Sequence, residues 1–161
     1  MSDKNQSEHV ETEEERLNRQ LDQLLNELRV AMPGVQVLFA FLLTVPFQQR
    51  FARVTDFQQT VYFVTLLASA AATAFFIAPT AYHRLVFRER DKPMLVQISS
   101  KLAVAGLFCL AVAMNGAVLL VTDLLFGDTT VKVTVVLTAA LYVALWFVLG
   151  LTRRLAGDRA H

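Results

Sequence analysis

A charged side chain inside an apolar stretch is costly to hold there and is kept where ions or protons are handled. This chain keeps its fourteen acids out of such places, in tails, loops or the edges of apolar runs, with Asp56 and Asp123 the nearest approaches. A proton-coupled exchanger cycles a proton on a buried carboxylate, so the pattern speaks against that mechanism in a single subunit. The polar residues within the runs are uncharged: Gln36 and Thr44, Ser69 and Thr73, Asn115, then Thr134 and Thr138. Such groups either line a polar pathway or join helices by hydrogen bonds of about 0.6 to 2 kcal/mol. Asn115 shares a stripe with Ala105, Cys109, Ala113 and Gly116, small residues that let backbones approach, and this favours a clip between helices.

His83 and Arg84 follow the second apolar run directly. A histidine titrates near neutral pH, which permits a sensing role, whereas Tyr82 beside it would anchor at a membrane interface with His83 and Arg84 among headgroups. His9 and His161 lie far apart in polar tails, and no Cys/His spacing resembles a metal site. The lone Cys109 excludes an intrachain disulfide. There is no phosphate loop, HExxH or GxSxG, and the central Arg88-Glu89-Arg90-Asp91-Lys92 alternates in sign as a solvated segment does. No enzyme, cofactor or nucleic-acid partner is expected.

The elements that must carry these residues are four apolar runs, 30–47, 60–78, 102–125 and 133–151, in a chain that is 55% hydrophobic with mean hydropathy +0.45. Crossing a bilayer takes roughly 20 apolar residues, so an all-α, four-transmembrane-helix bundle is predicted over 30–152. Before it stand an acidic tail (1–11) and an amphipathic helix (12–29); residues 153–161 form a tail. The late first run lacks the marks of a cleaved signal peptide and is expected to stay as an anchor.

Eight of the fourteen acids fall in residues 1–29, but orientation follows Lys and Arg. Twelve bases lie in the N-terminal segment, the central loop and the C-terminal tail, against Arg50, Arg53 and Lys132 on the opposite face. Both termini and the central loop are therefore expected in the cytoplasm, with the protein in the cell membrane. Capping signals mark helix starts at Thr12/Glu15, Thr55/Gln58, Asp91 with Pro93 in the first turn, and Gly127-Asp128 with Thr129.

Leu17, Leu21, Leu24, Leu25 and Leu28 fall on one face of the helix before the first run. That face suits a membrane surface, a partner or the cytoplasmic end of the bundle, although its acidic polar side disfavours anionic lipid. Pro33-Gly34 predicts a break where this helix meets the first span, and is the candidate hinge.

The stretch Glu27 to Phe47, with its Pro33-Gly34-Val35-Gln36 element, and Ala78-Pro79-Thr80-Ala81-Tyr82-His83-Arg84 resemble an uncharacterised family of small four-helix membrane proteins of high-GC bacteria, over roughly residues 15 to 155. Some members carry an automatic sodium:proton antiporter label. The resemblance implies the four-helix fold. The label implies sodium:proton exchange; the alternative it goes with is a small transporter or channel working as an oligomer, for which Gln36, Thr44, His83 and Asn115 are the only candidate pathway groups. The residues themselves favour a non-enzymatic interaction or structural module in the lipid bilayer, assembled with itself or within a larger membrane complex.

Overall fold

The computed structural model describes residues 12–86 and 92–148. The acidic tail, the sign-alternating loop with its Asp91 cap, the end of the fourth run and the C-terminal tail lie outside the described residues. The described chain is helical apart from short links around Gln48, Val54-Thr55 and Phe126-Gly127. Helix α1 runs Glu13–Thr44, two 3₁₀ turns follow at Val45–Phe47 and Gln49–Arg53, and α2 runs Asp56–Val86. Helix α3 covers Lys92–Leu125 and α4 covers Asp128–Tyr142, continuing as a π-helical segment over Val143–Val148. Each of the four is long and apolar enough to cross a membrane.

Two starts follow the sequence signals closely. Thr12 N–H donates to Glu15 Oε2 (2.9 Å) and Glu15 N–H to Thr12 Oγ1 (3.3 Å), while Thr55 and Gln58 make the same reciprocal pair at 3.0 and 3.2 Å. At α4 the expected side-chain cap is not made. Gly127 occupies the N-cap position, has no side chain to offer, and leaves Asp128 in the first turn to face the helix dipole.

The break predicted at Pro33-Gly34 is not there: α1 passes through both residues as one helix. Buried residues explain this. Leu21, Leu28, Val35 and Leu42 recur every seven positions, with half-buried Leu24, Ala31, Leu38 and Val45 between them, so one packing face runs through the proline. Pro33 and Gly34 sit on the opposite, exposed side, where losing the bond to the Arg29 carbonyl disturbs no contact. The polar lead-in and first span are therefore a single element.

Helix α1 ends for a chemical reason. Pro46 has no N–H to give the Leu42 carbonyl four residues earlier; that carbonyl accepts instead from the Val45 N–H, which tightens the last turn, and from Tyr62 Oη at 2.9 Å. Thr44 turns its hydroxyl back to the Phe41 carbonyl at 2.7 Å.

The buried face of α2 is Tyr62, Thr65, Ser69, Ala72, Phe76 and Pro79, at alternating steps of three and four. On α3 it is Ser99, Gly106, Leu110 and Ala113. This is the 3.5-residue repeat of left-handed supercoiled packing. Antiparallel α2 and α3 make the most extensive interface, and α1 lies against both.

Helix α4 packs on α3 without reaching α1 or α2 along its backbone, so the described helices form a three-helix core with a fourth on its flank. Trp146, from the π-helical segment, reaches the core formed by Leu28, Val35, Ala72, Phe76 and Leu110.

At 1.5 Å per residue, α1, α2 and α3 measure about 48, 46 and 51 Å, well beyond the roughly 30 Å hydrocarbon core. The excess lies at the end where α1 begins and α2 meets α3. The second helix thus extends past Ala78, where its apolar run stops, through buried Pro79 to Val86.

Candidate functional site

The polar groups of the spans sort by helix. On α2, Thr65 and Ser69 are 1% and 0% exposed, yet each hydroxyl is satisfied locally: Thr65 donates to the Val61 carbonyl (2.7 Å), Ser69 to Leu66 (2.8 Å) and Thr73 to Ser69 (2.9 Å). Their role is steric. Gly116 lies so near Thr65 that an added Cβ would fall on its hydroxyl, and Gly106 likewise faces the Phe76 ring. These glycines carry the α2–α3 approach.

Asn115 bridges α3 to α4. Thr138 Oγ1 lies 2.5 Å from Asn115 Oδ1, and also within 2.9 and 3.1 Å of the Thr134 and Val135 carbonyls. A hydroxyl carries one proton, so it serves one acceptor at a time. With the amide turned over, Asn115 would donate its NH₂ to Thr138 Oγ1 while that hydroxyl serves Thr134. A double-mutant cycle on Asn115→Leu and Thr138→Val should give a coupling of about 0.6 to 2 kcal/mol in detergent unfolding. Strict additivity would show that the pair does not bind α4 to α3.

The remaining sequence candidates are not gathered together. Thr44 and Gln36 are exposed on α1, and Gln36 has no hydrogen-bond partner among the described residues. His83 and Arg84 belong to the last turns of α2, and their side chains lie outside the described residues. Pro33 and Gly34 face outward within a continuous helix. Among the described residues no three His, Cys, Asp or Glu converge to hold a metal ion.

Two polar features escape a reading by spacing. Gln58, already in its capping box, donates through Nε2 to Asp123 Oδ2 at 2.7 Å, tying the start of α2 to the last turn of α3. The residues lie 65 positions apart, and only the antiparallel register joins them. Ser99 is fully buried on α3, and its hydroxyl has no partner among the described residues. Serine in a helix ordinarily bonds a carbonyl one turn back, so no sequence signal marks Ser99 as different.

No curated protein and no solved structure matches the chain. One family model does, over residues 10–150, which takes in all four helices and the π-helical segment. The chain accordingly belongs to that family, described as a family of unknown function (DUF6328).

Proposed function

We propose that the protein is a non-enzymatic, multi-pass integral membrane protein that assembles with a second copy, or within a larger membrane complex, through the outward face of α1. The observation that carries this is Gln36. From the start of the first apolar run at Val30 it lies six residues in, about 9 Å below the hydrocarbon boundary, exposed and without a hydrogen-bond partner among the described residues. An amide facing lipid loses water and gains nothing in return, whereas a neighbouring helix can satisfy it. Gln36 lies among exposed Pro33, Ala40 and Leu43 at steps of three, four and three, the spacing by which the same helix packs internally.

The polar groups of α2 and the Asn115–Thr138 pair support this reading over a transport pathway, since their hydroxyl protons are donated within and between neighbouring helices. In the proposed orientation the termini and the α2–α3 loop lie in the cytoplasm, because twelve of fifteen Lys and Arg flank that side.

Cysteine labelling in native membranes tests both parts. In a Cys109→Ala background, Ala40→Cys should form a disulfide-linked dimer, and adding Gln36→Leu should weaken association by about 5- to 30-fold, the equivalent of 1–2 kcal/mol. Thr129→Cys should react with an impermeant thiol reagent from outside. No cross-link together with a strictly monomeric mass in mild detergent would overturn the assembly, and labelling of residue 129 only after lysis would overturn the orientation.

A further inference from the structure

Where α1 gives way to the 3₁₀ turns, a half-enclosed cavity of about 210 Å³ lies between the ends of α1, α2 and α3. Its floor is Leu42 and Tyr62, both buried; its walls include Phe51 and Val54 on one side and Ala117 on α3 on the other. Phe51 is fixed there by an edge-on contact with Tyr62, their ring centres 5.2 Å apart. Phe41 and Val121 also line the cavity and are exposed, which places its mouth between the last turns of α1 and α3, toward the lipid.

The chemistry of the lining restricts the occupant. Gln58 and Tyr62 are its only residues with polar side chains, and their polar atoms are engaged with Thr55, Asp123 and the Leu42 carbonyl. A water molecule needs two to four polar partners, and the lining exposes almost no polar surface. An apolar cavity of roughly 150 Å³ admits a benzene-sized molecule, so this one admits a somewhat larger apolar group. From the Gln58–Asp123 bond it reaches down to Tyr62 and Ala117, one to two helical turns, or about 6 to 9 Å. That is where the upper part of an acyl chain lies in a bilayer, just beneath its headgroup. Arg53, between the lining residues Phe51 and Val54, is exposed in the same wall segment and presents a cation at headgroup level.

We propose that this cavity holds the upper part of one acyl chain of a membrane phospholipid, with Arg53 beside its phosphate. The site lies in the leaflet next to the 3₁₀ turns and does not depend on assembly through Gln36.

Native mass spectrometry of the full chain extracted from vesicles of phosphatidylethanolamine and phosphatidylglycerol tests it. The expected result is one phospholipid adduct that survives detergent exchange, and retention about tenfold lower in Ala117→Phe, which fills the cavity. Val121→Trp, at the exposed mouth, should give the same loss if Ala117→Phe does not fold. Arg53→Gln should lower retention of the phospholipid, while Ala40→Phe, on the outward face of α1, should not. Equal retention in Ala117→Phe and Val121→Trp, an adduct with the mass of a free fatty acid, or a second copy of the chain as the only adduct would each overturn the proposal.

Discussion

Phe76→Ala is expected to cost about 2 to 4 kcal/mol of folding free energy, measured by reversible unfolding in mixed micelles. The ring is fully buried in the core shared by α1, α2 and α3, and it lies against Gly106. In a water-soluble core the loss would be about 3 to 5 kcal/mol, from a transfer component plus a cavity component. Within a bilayer the unfolded reference already sits in hydrocarbon, so the cavity and its lost dispersion contacts make up most of the cost. Filling the space from the other side should fail: Gly106→Leu places side-chain atoms on the ring and should itself cost about 1 to 3 kcal/mol. In the double variant part of each loss should be recovered, because the leucine enters the volume the ring has left. Simple additivity would show that the two positions do not share one packing site.

Leu28→Ala should cost about 2 to 4 kcal/mol, and Val30→Ala, two residues away, no more than about 0.5. Leu28 belongs to the buried seven-residue repeat of α1, whereas Val30 is 76% exposed. The comparison separates two forms of the N-terminal half of α1. If that half is part of a continuous rod packed on its neighbours, Leu28→Ala opens a cavity in the core and lowers global stability. If it were a separate helix resting on a membrane or partner, both substitutions would leave unfolding unchanged.

Much of the architecture is legible in the residues. Four apolar runs announce four helices, and the Thr12/Glu15 and Thr55/Gln58 pairs locate two helix starts through their reciprocal hydrogen bonds. Proline is where local reading misleads. Pro33, Pro46 and Pro79 each remove one backbone donor, yet only Pro46 ends a helix, while α1 and α2 continue past the other two. A lost intrahelical bond costs a fixed local amount, and the packing on either side decides whether the helix persists. For α1 that packing is the heptad face from Leu21 to Leu42; for α2 it is the buried face on which Pro79 itself lies.

The polar residues show the same division. Chain position is enough to put Gln36, Thr65 and Asn115 within apolar helices, but not to say which faces a neighbour. Hydropathy along a membrane helix is nearly uniform, so it carries little record of the face that packs; the hidden faces follow small residues and heptad spacing instead. By itself the sequence determined four membrane-length helices, two of their starts and the asymmetry of charge around them, because these depend on local composition and neighbouring residues. Only the tertiary structure decided that α1 is one rod, that the backbone of α4 packs on α3 at the flank of the other helices, that Gln58 meets Asp123, and that an apolar cavity opens beside Tyr62. Each of those results from register between helices distant in the chain, which close packing sets and no local pattern encodes.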